Sequence, residues 1–130
     1  MIMMIDDDSD TLEIYRLLVE KTDYASYFLT FGSVASALDY LANNADPSDA
    51  FPRYILLDLS MPGQNGLDFI RLFEERYASL YPDTKIVILT SSVRESEHQE
   101  ALAFDSVTQV VSKPLPKQLL IDLLAASVID

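Results

Sequence analysis

Five residues of this 130-residue chain have side chains that could act together at one site. Asp6, Asp7, Asp58, Thr90 and Lys113 each end or follow a short apolar run of the sequence. Clustered carboxylates are the oxygen ligands that Mg²⁺ prefers, and a carboxylate can also attack phosphorus to form an aspartyl phosphate. Lys113 would neutralise phosphoryl oxygens, and Thr90 would donate a hydrogen bond to one of them. The residue types therefore predict phosphoryl transfer to Asp58 with help from a divalent cation.

Three consecutive aspartates, Asp6 to Asp8, need a physical explanation. Adjacent carboxylates repel one another, and each raises the pKa of its neighbours unless a cation or a hydrogen-bond donor offsets the charge. Taken alone, the run is typical of a solvated helix start, because aspartate favours that position. Together with Asp58 it favours a cation site. We therefore assign Asp6 and Asp7 to the cation and interpret Asp8 as a capping or exposed residue.

Short apolar runs alternate with longer segments of helical spacing along the chain. The predicted strands are "MIMMI", "YASYFLTF", "RYILLDLS", "TKIVILTSS" and "SVTQVVS". The first predicted helix is "SDTLEIYRLLVEK", with Ser9 as N-cap and with Leu12, Tyr15 and Val19 on one apolar face. The other predicted helices are "VASALDYLANN" after Ser33, the segment with Leu67, Ile70, Phe73 and Tyr77, "RESEHQEALAF", and "LPKQLLIDLLAASVI". This alternation predicts an α/β fold with a doubly wound, five-stranded parallel sheet and five helices. Such sheets bind ligands beyond the carboxyl ends of the strands, where the five candidate residues would meet.

The composition narrows the classes of partner. Twenty-one acidic against nine basic residues give a net charge of −12, which repels phosphate backbones and anionic membrane surfaces, so neither nucleic acid nor a membrane is an expected direct partner. The chain has no cysteine, which excludes disulfides and thiolate sites. Without a signal peptide or a run of about 18 apolar residues, it is expected to be soluble and cytoplasmic, as one domain over residues 1–130.

Four fragments at these spacings carry a family resemblance: "IDDD", "LLDLSMPGQNGLDF", "VILTSS" and "SKPL". Together they resemble the response regulator receiver domain of bacterial two-component signalling, over essentially the whole chain. The resemblance implies a flavodoxin-like sheet of strand order 2-1-3-4-5 and a cis peptide bond between Lys113 and Pro114. It also implies a set of roles: Asp58 as phosphoacceptor, Asp6, Asp7 and Asp58 as Mg²⁺ ligands with the backbone carbonyl of Ser60, Thr90 as the switch hydroxyl, and Lys113 as the phosphate partner.

The resemblance further implies partners and a mode of action. A histidine kinase or histidine phosphotransfer protein would supply the phosphoryl group, and the face formed by helix four, strand five and helix five would then repack for a downstream protein. Such a domain is a signalling phosphoacceptor that assists its own phosphorylation and dephosphorylation, and is not an enzyme in the ordinary sense. Because the sequence ends soon after helix five, a stand-alone receiver is expected, which either acts by protein contact, as the chemotaxis regulator does, or passes phosphate onward in a relay. The leucine-rich helix five leaves a homodimer open.

Two departures from the usual receiver pattern are Val110 and the segment "AFDSVTQVV", which stands where glycine and alanine are common. Val110 stands where many receivers have an aromatic residue that moves with the switch threonine. Ser60 and Ser92 occupy the two variable positions that tune phosphoryl lifetime, and neither side chain orients an attacking water strongly. We therefore expect a moderately long-lived phosphoryl group.

Three other functions compete with this one. A flavodoxin-like nucleotide or FMN binder needs a Ser/Thr/Gly-rich phosphate loop after strand one, where this chain has aspartates. A phosphatase of the haloacid dehalogenase type needs a second aspartate two residues after the nucleophile, where Ser60 stands. A pseudo-receiver that docks proteins without phosphotransfer remains open, because the required residues can persist without a kinase that uses them.

Overall fold

The computed structural model describes residues 1–44, 51–59, 66–91 and 95–128. Its strands are β1 (Ile2–Ile5), β2 (Phe28–Phe31), β3 (Tyr54–Asp58), β4 (Lys85–Thr90) and β5 (Val107–Ser112). Its helices are α1 (Ser9–Glu20), α2 (Val34–Asn43), α3 (Gly66–Arg76), α4 (Glu95–Leu102) and α5 (Lys117–Ser127), with a short 3₁₀ turn at Ala25–Tyr27. Within those ranges no helix is both long enough and apolar enough to cross a membrane.

All five strands form one parallel sheet in the order β2-β1-β3-β4-β5. The predicted doubly wound, flavodoxin-like arrangement is therefore confirmed. The register between neighbouring strands aligns their carboxyl ends, since Ile5 pairs with Leu57 and Asp58 pairs with Leu89. Residues that end β1, β3 and β4 consequently reach the same edge of the sheet.

Two apolar cores cover the two faces of the sheet. Alternate residues of β1 divide between them, with Met3 in the core under α2 and α3 and Met4 in the core under α1 and α5. Both side chains are fully buried, as are most of those in β3 and β4. Burial on both faces explains why the sequences of these strands are unbroken apolar runs. Each buried large apolar side chain contributes roughly 1.5–3 kcal/mol to the free energy of folding. The sheet is therefore packed on both faces.

Several element boundaries differ from the sequence predictions, and hydrogen bonds explain two of the differences. The second strand begins at Phe28, because the Thr22 hydroxyl donates to Val19 and accepts from the Tyr24 N–H, and the turn leads into the 3₁₀ segment. Asp8, rather than Ser9, caps α1: its carboxylate accepts hydrogen bonds from the N–H groups of the second and third residues of the helix, at 3.0 and 3.4 Å. The capping interpretation of Asp8 is therefore confirmed, and Ser9 as N-cap was wrong.

Candidate functional site

Four of the candidate residues end strands of the sheet or follow them directly. Asp6 follows β1, Asp58 ends β3, Thr90 ends β4 and Lys113 follows β5. Backbone hydrogen bonds fix them there: the Asp6 N–H donates to Phe31 at 3.1 Å, and the Lys113 N–H donates to Thr90 at 2.9 Å. The site-bearing edge is the carboxyl edge of the sheet, where doubly wound folds bind their ligands.

Lys113 bridges the two buried carboxylates at this edge. Its Nζ lies 2.8 Å from Oδ2 of Asp6 and 3.2 Å from Oδ2 of Asp58. Asp6 is 0% exposed and Asp58 is 3% exposed, so neither charge is screened by bulk water. The ammonium group between the two carboxylates offsets the repulsion between their charges.

The surroundings of Lys113 keep it charged. Burial by itself would lower the pKa of the ammonium group, but the hydrogen bond that Lys113 donates to Asp6 and the charges of Asp58 and Asp6 outweigh it, so the pKa is raised above its ordinary value. Lys113 therefore stays positive at neutral pH. The site holds a fixed positive charge beside the oxygen atoms of Asp58.

The acidic cluster of Asp6, Asp7 and Asp58 has the donor set of a divalent cation site. One carboxylate oxygen from each residue lies within 4.8 Å of the others. Asp6 and Asp58 are buried, whereas Asp7 is exposed and leaves the cluster open to solvent on one side. Three carboxylates and one ammonium leave a net charge of −2, which a divalent cation would balance. Because Mg²⁺ binds one or two carboxylates and keeps several waters, an open cluster of this kind fits it.

Comparison with known proteins identifies the family. The sequence model described as response regulator receiver domain matches residues 2–125. The chain belongs to that family. A solved structure, a two component response regulator from Cytophaga hutchinsonii, is 26% identical with a TM-score of 0.80, and the match covers 98% of this receiver domain and 95% of that chain.

Two curated relatives are similar over most of the receiver domain. The probable C4-dicarboxylate response regulator DctR of Halalkalibacterium halodurans is 32% identical over 91 residues, which are 70% of this chain and 35% of that protein. Hybrid signal transduction histidine kinase D of Dictyostelium discoideum is 30% identical over 103 residues, which are 78% of this chain and 6% of that protein. The receiver domain thus spans about a third or less of these relatives. Both comparisons support membership of a two-component signalling family.

The receiver domain brings most of the predicted site residues together. Asp6, Asp7, Asp58 and Lys113 share the carboxyl edge, and Thr90 lies 1% exposed at the end of β4. The predicted cis peptide bond between Lys113 and Pro114 is present. Ser60, whose backbone carbonyl was predicted as a ligand, and the variable position Ser92 lie outside the described residues. Val110 is half-buried and packs against the core under α2 and α3.

Sequence reasoning assigned Tyr15 only to the apolar face of α1. In the receiver domain its ring is buried, and its hydroxyl donates a hydrogen bond of 3.0 Å to the carbonyl of Leu115. A groove of about 300 Å³ runs alongside, lined by residues that include Tyr15, Leu115 and Lys113. A tyrosine at a predicted core position is the signal that sequence reading passed over, because a buried phenol requires a partner for its hydroxyl. Tyr15 therefore contacts the segment that carries the site lysine.

Proposed function

We propose that this receiver domain accepts a phosphoryl group on Asp58 from a phosphohistidine of a histidine kinase or histidine phosphotransfer protein in the cytoplasm. The observation that carries the proposal is the bridge from Lys113 to Asp6 and Asp58, at 2.8 and 3.2 Å. Asp58 is a buried carboxylate that has a fixed cation beside it and belongs to an acidic cluster that fits a divalent cation, so the site combines a nucleophile with charge neutralisation. Phosphoryl transfer needs this combination more than it needs covalent help from the protein.

In the proposed reaction an oxygen of Asp58 attacks phosphorus in line with the donor imidazole. The new bond joins Asp58 to phosphorus, the phosphorus–nitrogen bond breaks, and its electron pair stays on the imidazole. Lys113 neutralises one equatorial oxygen, and the hydroxyl of Thr90 donates a hydrogen bond to another. Asp6, Asp7 and Asp58, with the backbone carbonyl of Ser60, would hold Mg²⁺, which supplies further neutralisation of the phosphoryl oxygens when bound.

Phosphorylation would also redistribute the contacts of Lys113. The ammonium group now shared between Asp6 and Asp58 would turn to a phosphoryl group that carries more negative charge than the carboxylate. Thr90 lies on the strand next to β5, where Val110 packs against the core under α2 and α3, so a shift of Thr90 would be felt on the face formed by α4, β5 and α5. Couplings of this kind are typically worth about 1–3 kcal/mol, enough to change partner affinity. A downstream protein would read that face.

The surface beside the groove supports a protein as the phosphodonor. Ile14 and Leu17 lie three residues apart on α1 and are 57% and 49% exposed. Ile14 also lines the groove that Lys113 borders. Exposed apolar side chains next to a site favour packing with a partner protein. A homodimer through α5 has weaker support, because Leu120, Leu123 and Leu124 are buried in the core.

The test is the intact mass of the protein after incubation with acetyl phosphate and Mg²⁺. The variants are Asp58→Asn and, as a matched control, Asp68→Asn, which changes an exposed carboxylate on α3. We expect one phosphoryl group on the wild type and on Asp68→Asn, and none on Asp58→Asn or after chelation of the metal. No gain on the wild type would favour a pseudo-receiver that docks proteins without phosphotransfer.

A half-life measurement tests the proposed lifetime. After removal of the donor, the phosphorylated fraction is followed by mass over time. Loss within seconds would contradict the expectation of a moderately long-lived phosphoryl group.

A further inference from the structure

The segment of residues 113–116, here called the lysine loop, joins β5 to α5 and carries the site lysine. Pro114 and Pro116 have no N–H group to donate, so this short loop has less capacity for backbone hydrogen bonds than an ordinary one. Backbone bonds fix its two ends: the Lys113 N–H donates to Thr90, and the Pro116 carbonyl accepts from Leu120 in α5. The position of the middle of the loop depends on other contacts.

Tyr15 supplies such a contact from the opposite end of the chain. Its hydroxyl donates to the carbonyl of Leu115 at 3.0 Å, across a separation of 100 residues, and the bond is buried. Tyr15 is 7% exposed and Leu115 is 4% exposed, and both belong to the core under α1 and α5. The hydrogen bond therefore links the lysine loop to α1. Because the ring of Tyr15 is packed in the core, it fixes the distance between the loop and the helix.

We propose that Tyr15 is a positioning residue for phosphoryl transfer, which holds the lysine loop so that Lys113 spans Asp6 and Asp58. This inference rests on the proposed function of Asp58. Without the hydroxyl, the Leu115 carbonyl would be buried without that donor, and the loop would relax toward the adjacent groove to find another partner. Lys113 would then shift relative to Asp58. Misplacing a charge by about 1 Å is enough to slow a reaction that depends on positioning.

The experiment compares initial rates of phosphorylation by acetyl phosphate and Mg²⁺ in the wild type, Tyr15→Phe and Thr84→Val. Thr84 is the matched control because its buried hydroxyl also donates to a backbone carbonyl, that of Pro52 at 2.7 Å, but next to the amino end of β4. We expect Tyr15→Phe to react about 10- to 100-fold more slowly, by analogy with the loss of an outer-shell group that orients a metal ligand. Thr84→Val should keep the wild-type rate.

A second set of rates separates positioning from a general loss of structure. The same two substitutions are made in a Lys113→Met background. If Tyr15 acts through Lys113, Tyr15→Phe has no further effect on the slow rate of that background, so the two substitutions are not additive. Equal slowing by Tyr15→Phe in both backgrounds would overturn the proposal, because the hydroxyl would then act without Lys113.

The outcomes distinguish this proposal from the function on which it rests. No phosphorylation of the wild type overturns both. Normal phosphorylation of Tyr15→Phe, with wild-type phosphorylation intact, overturns only the role of Tyr15. Should Tyr15→Phe fail to fold, Tyr15→Met supplies a smaller, flexible apolar side chain that has no hydroxyl and can adapt to the space, and the same comparison applies.

Discussion

The ammonium nitrogen of Lys113 lies 2.8 Å from Oδ2 of Asp6, a carboxylate that is fully buried and 107 residues away in the chain. The same nitrogen lies 3.2 Å from Oδ2 of Asp58. One cation therefore holds together the carboxyl ends of two strands. It also occupies a position where it competes electrostatically with any metal that the acidic cluster binds.

Replacing this lysine should have opposite effects on stability and on metal affinity. Lys113→Met leaves two buried carboxylates facing each other, so we expect the metal-free protein to lose about 2 kcal/mol of unfolding free energy. Mg²⁺ should bind roughly tenfold more tightly, because a unit charge at about 4 Å is worth between ~1 kcal/mol in water and ~4 kcal/mol near a protein surface. Urea unfolding and Mg²⁺ titration by calorimetry measure the two quantities.

The control for this variant is Lys85→Met, which removes a lysine whose ammonium group donates to a backbone carbonyl, that of Pro82. It should leave Mg²⁺ affinity unchanged. Weaker Mg²⁺ binding in Lys113→Met would contradict the competition between lysine and metal.

Asp7 should contribute to Mg²⁺ affinity but not to the stability of the metal-free protein. Its side chain is exposed at the edge of the acidic cluster, so Asp7→Asn removes repulsion between like charges. We expect the metal-free variant to be as stable as the wild type or up to about 0.5 kcal/mol more stable. Mg²⁺ affinity should fall by about tenfold, since one charged ligand is lost. The control is Asp10→Asn, which changes an exposed carboxylate in the first turn of α1 and should bind Mg²⁺ as the wild type does. Equal losses of Mg²⁺ affinity in both variants would mean that the ion is attracted by the overall negative charge and not by Asp7 as a ligand.

Much of the site could be predicted because it is encoded at strand ends. The apolar runs predict where the strands lie, and parallel pairing places the carboxyl ends of the strands at one edge. Asp58 and Lys113 meet there although they are far apart in the chain. The sequence does not predict that Asp6 is buried and Asp7 is exposed. That difference depends on the direction in which the backbone leaves β1. The ligand role of the Ser60 carbonyl stays a prediction.

The hydroxyl of Tyr15 marks the limit of pattern reading. Helical spacing correctly placed its ring in the core, but spacing says nothing about the far end of a side chain. Its acceptor, the Leu115 carbonyl, lies 100 residues away. The predicted start of the second strand was wrong for a local reason. The residues before Phe28 include aromatic side chains that favour strands, but the turn that Thr22 makes directs this segment into a 3₁₀ turn instead.

Two raised pKa values predict a loss of stability at alkaline pH. Burial raises the pKa of Tyr15 above its ordinary value of 10.0. The pKa of Lys113 is raised above 10.5, because its hydrogen bond to Asp6 and the neighbouring carboxylate charges outweigh the opposing effect of burial. The folded protein therefore holds these protons to higher pH than the unfolded chain does, so the associated stability is complete below about pH 10 and is lost as the pH rises through the folded-state pKa values.

Urea unfolding at several pH values between about 9 and 11, with a chelator present, measures this slope. Tyr15→Phe should have a shallower decline than the wild type, because one of the two groups is gone. Tyr27→Phe removes a tyrosine that is 43% exposed and should leave the slope unchanged. Parallel slopes for all three proteins would contradict the assignment to Tyr15.

Gly66 tests how closely α3 must approach the end of β3, where Asp58 lies. A Cβ added there would lie 3.1 Å from Cδ1 and 3.2 Å from Cα of Leu59, and 3.3 Å from the carbonyl oxygen of Asp58. Two of these three atoms belong to the backbone and cannot move without displacing the strand end that carries Asp58. Gly66→Ala should therefore cost about 1–3 kcal/mol of unfolding free energy, the usual range for overpacking, and should also slow phosphorylation. Gly32→Ala is the matched control because a Cβ there meets nothing within 4 Å, so its stability should stay within about 0.5 kcal/mol of the wild type. If both variants unfold at the wild-type urea concentration, α3 has room to move and the start of the helix does not constrain Asp58.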